Sequence, residues 1–278
     1  MTNVACVPGA PGPGFVTASV AWIAIAPVKG LGLVQPPAVE LTKDGVTANR
    51  AFYLIDPDGR MLNGKRLGSL VTVSPAYDEG LGALSLNFPD RKVVRGEVAL
   101  GQEVTTSFFG RAVSGRVVEG PWDEALSAHA GLSLKLVRVT RAGDGVDRGS
   151  RASVSMLSTG SLARLGEALG LGSGLDHRRF RMLFGVAGVG AHAEDGWSGH
   201  RVRLGEAVVD VVGKVGRCLV TTQDPDTGVP NLDTLGALRS YRRAETSEAP
   251  ASEKLCFGVW GHPAEPGRVG LGDPVELL

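Results

Sequence analysis

Apolar residues crowd positions 16–26, VTASVAWIAIA, and the run stops at Pro27, which predicts a β-strand. The following VKGLGLVQP reads as an irregular loop. AFYLIDPDGRMLN (51–63) carries a hairpin signature: an apolar strand, the turn DPDG, then a second strand. Further short β candidates are LVTVSP, LGALSLNF, RKVVRGEVAL, EVTTSFFG and GRAVSGRVVEG, punctuated by Gly, Pro and Asp. Their spacing predicts a β-barrel or sandwich in the first half. WDEALSAHAG predicts a short helix, with Asp123 and Glu124 near its positive end.

RAGDGVDRGSR (141–151) is polar and glycine-rich and reads as a linker or mobile loop. ASVSML then predicts a strand and STGSLARLGEALG a helix, with Leu162, Leu165 and Leu169 on one face. Ser158 or Thr159 can cap its start and Gly170 can end it. RMLFGVAGVG, HRVRLGEAVVDVVG and CLVTT supply more strands. LDTLGALRSYRR predicts another helix with Asp233 near its start, and CFGVWGHP and RVGLGDPVELL read as closing barrel strands. The fold class expected is mainly β (α+β), with few short helices and no internal repeat.

Composition narrows the function classes. The chain has 278 residues, 43% hydrophobic and 21% charged, as in a soluble globular protein able to bury a sizeable core. Formal net charge is zero, so no global field draws nucleic acid or an anionic membrane. Cys6, Cys218 and Cys256 are too few and scattered for a disulfide framework, and no zinc-ligand spacing occurs. MTNVACVPGAPGPG lacks the basic and apolar regions of a signal peptide, so a cytoplasmic setting is expected, with 1–15 a flexible tail. GLGSGLDH (170–177) follows a helix instead of opening one, so its glycines read as a C-cap and loop, not a phosphate cradle. His192 and His200 read as surface residues, and Cys256 as a core residue.

Candidate chemistry concentrates at GKVGRCLVTTQDPDTG (213–228). Arg217 and Lys214 raise the local positive potential, which favours a thiolate and metal binding at Cys218. In a strand, however, Arg217 and Cys218 face opposite ways. A buried inert thiol therefore stays open beside an activated one.

GRCLVTTQDPDTG, with LRSYRR, FGVWG and EPGRVGLGDPVELL, resembles the end of MOSC domain proteins (molybdenum cofactor sulfurase C-terminal type). WIAIAPVKGLG, ANRAFYLIDPDGRMLN and LGSLVTV resemble the N-terminal β-barrel domain that precedes it in the mitochondrial amidoxime-reducing component and bacterial relatives. The resemblance runs from about residue 18 to the end. It implies a β-barrel-like N-terminal domain over 16–140 and a MOSC β-barrel domain over 150–278. Between them it implies a molybdenum cofactor (Mo-molybdopterin). It makes Cys218 the metal ligand and catalytic residue, with Lys29, Arg50, Ser158, Thr159, Arg181, Arg217 and Trp260 contacting the cofactor. A soft thiolate suits such a metal, and the start of a helix at Ser158 and Thr159 suits a phosphate.

Departures from the family pattern stand at Gly30, Asn49, Asn63-Gly64-Lys65 and Met182-Leu183, where the family has FRPN. They imply a reshaped pocket and a specialised small-molecule substrate, as in a biosynthetic pathway. The reaction implied is molybdenum-dependent reduction of N-hydroxylated or N-oxide compounds. Because no flavin or iron–sulfur motif is visible, a separate electron-donor protein is expected. Two other readings remain: metal-free sulfur transfer through a Cys218 persulfide, and a cofactor-free module that binds an anionic metabolite.

Overall fold

A computed structural model describes residues 17–245 and 255–278. The tail expected over 1–15, with Cys6, lies outside the described residues. The first apolar run forms β1 (Ser19–Ile23), burying Val20, Trp22 and Ile23, and β2 (Ala38–Leu41) follows the predicted loop. Then comes β3 (Phe52–Ile55), buried at all its positions, as its unbroken apolar run requires.

The turn Asp56–Gly59 follows β3, but the second arm of the expected hairpin is reduced to one bridge, Ile55 to Met61. LVTVSP also departs from expectation, opening as a 3₁₀ turn over Gly68–Thr72. Leu70 and Val73 are both buried, and a 3₁₀ turn sets residues three apart on one side. β4 (Ser74–Asp78) takes up only the end of LVTVSP, and RKVVRGEVAL divides between β6 (Val93–Glu97) and β7 (Ala99–Phe108), while LGALSLNF and GRAVSGRVVEG fold as read into β5 (Ala83–Asn87) and β8 (Arg111–Glu119). Helix α1 (Trp122–Ala130) ends at Gly131, whose φ of 69° suits glycine, and β9 (Lys135–Val139) returns to pair with β3.

The second half supplies β10 (Val154–Ser158), α2 (Thr159–Ala168), β11 (Phe184–Ala187), β12 (Arg201–Leu204) and β13 (Ala207–Gly216). It closes with α3 (Thr234–Glu245), β14 (Cys256–Glu265), β15 (Gly267–Gly270) and β16 (Val275–Leu277). CLVTT is not a strand. β13 stops at Gly216, and Leu219–Thr222 make a 3₁₀ turn. Thr221 Oγ1 donates to Cys218 O at 3.1 Å and Thr222 Oγ1 to Leu219 O at 2.7 Å, so side chains give these carbonyls the partners a ladder would have supplied.

The seven-stranded sheet runs β1-β11-β10-β14-β13-β12-β16. Val20 N donates to Asp273 O at 2.9 Å and Val275 N to Ala18 O at 2.8 Å, joining its two edges into a barrel. The sheet therefore takes its first strand from the far N-terminus, and β2 pairs with β15 beside it. β3-β9-β8-β7 and β4-β5-β6 form the other layers.

Two main cores result. One packs Val20, Ile25 and Leu41 against Phe184, Val209 and Val259 of the barrel; the other packs Val28, Leu31, Phe52 and Leu84 around Trp122. The segment Ala26–Gly32 crosses between them, pinned by Arg50 N to Ala26 O (2.7 Å), Lys29 N to Phe52 O (2.8 Å) and Gly32 N to Val73 O (2.9 Å). Lys29 thus sits at the seam.

Candidate functional site

A cavity of about 620 Å³ opens along that seam. Lys29, Arg50, Arg181, Arg217, Cys218 and Trp260 all line it, drawn from both halves of the chain. Its size matches that of a cofactor or drug-sized ligand site.

Lys29 is buried, and its Nζ donates to Gly145 O at 3.2 Å and pairs with the Asp147 carboxylate. Burial lowers its pKa to about 8; Asp147 partly offsets the shift, and Arg50 adds to it. Arg50 and Arg181 both take left-handed backbone angles, φ 56° and 52°, which cost energy for non-glycine residues. Asn49 Oδ1, buried, accepts from Arg50 Nη1 at 3.2 Å and from Ala26 N at 3.0 Å, fixing the guanidinium to the crossing segment. Arg50 Nη2 donates to Arg181 O at 3.4 Å, and Arg181 Nη2 to Leu31 O at 2.8 Å. Burial lowers the Arg181 pKa to about 10, and neighbouring Arg50 lowers it further. Two like charges are held side by side, with Arg181 Nε and Nη1 lacking a protein acceptor among the described residues.

Arg217 has another task. Its Nε donates to Phe257 O at 2.8 Å, Nη1 to Phe180 O at 3.0 Å and Nη2 to Met182 Sδ at 2.9 Å. The guanidinium also lies 5.4 Å from the Phe180 ring centre. Burial lowers its pKa to about 9, a shift only partly opposed by the negative charge the Cys218 and Cys256 sulfurs can carry. Arg217 therefore clamps the strand-end that carries Cys218. Cys218 itself is half-buried, directly ahead of the 3₁₀ turn. Trp260 Nε1 donates to Lys214 O at 3.1 Å, and Arg148 lies over its ring at 5.4 Å.

Ser158 and Thr159 do not line the cavity. Ser158 does cap α2, accepting from Ser161 N at 2.9 Å, but it is fully buried. The place an external phosphate would take at this helix start already holds the buried Glu194 carboxylate. Its Oε1 accepts from Ser158 N at 3.2 Å and Ser161 Oγ at 2.6 Å. Leu183 also faces elsewhere: it belongs to the barrel core, while Met182 lines the cavity. His192 is half-buried, its ring 5.6 Å from Tyr241, so only His200 is the exposed residue expected. Cys256 is half-buried at the start of β14.

The cavity wall also holds residues that sequence reading passed over. The 141–151 stretch is not free: Arg111 Nη2 donates to Asp144 O at 2.5 Å and Val146 O at 2.8 Å, and Asp147 and Arg148 reach the cavity. Among the described residues, Ser153 Oγ is buried there without a hydrogen-bond partner, and so is Arg179 Nε. Phe109, 63% exposed with φ 51°, stands at the rim. The signal available was the density of Gly, Asp and Arg in GDGVDRGSR, a composition shared by linkers and ligand loops.

Residues 143–276 match the MOSC domain, and 17–127 match the MOSC N-terminal beta barrel domain. Mitochondrial amidoxime-reducing component 1 of Mus musculus is 40% identical over 101 residues, covering 36% of this chain and 29% of that protein. Its Homo sapiens counterpart is 27% identical over 284 residues, covering 94% of this chain and 83% of its own length. The molybdenum cofactor sulfurase of Oryza sativa subsp. japonica is 24% identical over 270 residues, covering 85% of this chain but 31% of that protein.

Proposed function

Since the chain belongs to the MOSC domain proteins with an N-terminal MOSC beta barrel domain, we propose that its cavity binds a molybdenum–molybdopterin cofactor and reduces N-hydroxylated or N-oxide small molecules. One observation carries this reading: a half-buried cysteine and basic side chains from both halves line a single cavity of cofactor size. The donor set fits such a group. Two left-handed arginines and a buried lysine provide for an anionic end, and the unpartnered Ser153 Oγ awaits a polar ligand atom.

In this reading Cys218 Sγ is the protein's ligand to the metal. Among the described residues no three His, Cys, Asp or Glu groups cluster to hold a metal by themselves, so the organic part of the cofactor would supply the other sulfur donors. The bound group would supply two-electron chemistry able to take oxygen from an N–O bond. Lys29, Arg50 and Arg181 would anchor the cofactor's phosphate, where burial strengthens each charge interaction. Arg217 would hold the Cys218 backbone in place. Trp260 and Phe109 would shield the mouth from water. Electrons would come from a separate donor protein, and a reducing cytoplasmic setting would keep the thiol free.

The test is molybdenum and pterin content after expression in a host that makes the cofactor. Near-stoichiometric metal in wild type, sharply reduced in Cys218→Ala, is expected. Absence of molybdenum from wild type contradicts the proposal.

The similarity to a molybdenum cofactor sulfurase favours one second reading, sulfur transfer through a Cys218 persulfide. Mass spectrometry of metal-free protein would then find an added sulfur atom on Cys218.

A further inference from the structure

The stretch 141–151 is built to lie against the cavity. A Cβ on Gly145 would stand 1.9 Å from Arg50 O, and one on Gly143 would stand 2.6 Å from Asp44 O, so both glycines permit close seating. Arg111 holds the Asp144 and Val146 carbonyls from the other side. Directly after these anchors the chain presents Asp147 to Lys29 and Arg148 to Trp260. The strap touches both walls.

Asp147 is the more exposed partner of its pair with Lys29. Its side chain is 53% exposed, and Lys29 is its one ion-pair partner among the described residues. Lys29 is 8% exposed and packs over the Phe108 ring at 5.2 Å. A cation so deeply placed needs an anion. Among the residues lining the cavity Asp147 is the one carboxylate, and Lys29, Arg50, Arg148 and Arg181 are among the cations that outnumber it.

We propose that Asp147 is a built-in competitor for the cavity's anionic ligand: it occupies Lys29 in the ligand-free protein and swings toward solvent when a phosphate-bearing ligand takes its place. Two anions on one buried ammonium repel each other, so the carboxylate must leave or weaken the incoming group. The excess of cations over this single carboxylate suits a phosphate monoester dianion, which gains Lys29 as a further partner once Asp147 leaves. Asp147 thereby sets a threshold: weakly charged anions fail to displace it, and dianions succeed. Departure of Asp147 also lifts its neighbour Arg148 from Trp260.

This inference rests on the proposed anionic cofactor, yet its test uses no molybdenum, so the two can fail separately. Metal-free full chain is titrated with inorganic pyrophosphate by calorimetry and by tryptophan emission. Trp22, Trp122 and Trp197 are buried, so Trp260 is the reporter, with Trp260→Phe as the control. Asp147→Asn is expected to bind pyrophosphate about tenfold tighter than wild type. In a Lys29→Met background the same change is expected to have no effect. Asp147→Ser serves if Asp147→Asn folds poorly. Equal or weaker binding by both Asp147 variants overturns the proposal, as does an undiminished gain in the Lys29→Met background. Failure of every form to bind pyrophosphate overturns it as well.

Discussion

Two polar regions of this molecule both carry the signs of an anion site and behave oppositely. At the start of α2, Ser158, Ser161 and Glu194 form a closed knot, fully buried, in which a carboxylate of the chain fills the anion position. At the seam between the cores, Lys29, Arg50 and Arg181 crowd together beside open volume, answered only by the half-exposed Asp147. The knot has supplied its helix start with an anion from within, although Glu194 Oε2 is buried without a partner among the described residues. The seam has kept cations in excess and backbone strain at two arginines. Helix termini and basic residues are thus necessary but insufficient signs of an anion site; what decides is whether the fold has supplied the anion itself.

The largest expected effect breaks the knot. Glu194→Ala removes the acceptor of Ser161 Oγ and Ser158 N and should cost about 3 kcal/mol in urea unfolding, leaving pyrophosphate affinity of surviving folded protein unchanged. Next, Arg181→Met should weaken pyrophosphate binding about tenfold in calorimetry while leaving the ligand-free protein as stable or more so, because it relieves repulsion with Arg50. A drop in stability equal to that of Glu194→Ala would erase the contrast between the regions.

A smaller, pH-dependent effect sharpens it. Lys29 titrates near 8 in the folded chain, below its ordinary 10.5, so folding is penalised while the ammonium stays charged. Between about 8 and 10.5 the unfolded state binds more protons, and stability should rise there relative to Lys29→Met. Over the same rise through about 8, the Lys29 contribution to pyrophosphate affinity should fade. The smallest effect belongs to Phe109, whose left-handed φ at the exposed rim predicts that Phe109→Gly is neutral or stabilising by about 0.5 kcal/mol in thermal melts.

Alternation and turn residues made most strands and all of α1, α2 and α3 readable, and the Ser158 cap followed from local chemistry. Local signals failed where tertiary demands competed with them. CLVTT reads as a strand from its β-branched residues, but its threonines bond back to the main chain and turn it. Nothing local announces that Ser19–Ile23 joins the barrel formed by the second half, since that pairing is set by β11 and by Asp273. At the site, Lys29, Arg50, Arg181, Arg217, Cys218 and Trp260 were named in advance and converge on one cavity. Ser158 and Thr159 do not line that cavity, and the Glu194 carboxylate beside Ser158 comes from 36 residues away, beyond any helix-start motif. Asp147 and Arg148 were missed because a seated strap and a free linker share a composition.

Molybdenum K-edge X-ray absorption of the protein loaded in a cofactor-making host tests the central claim most directly. A sulfur shell in wild type that loses one sulfur in Cys218→Ser, with Cys256→Ser unchanged, is the predicted result. Identical shells in wild type and Cys218→Ser would place the metal away from this sulfur and contradict the account.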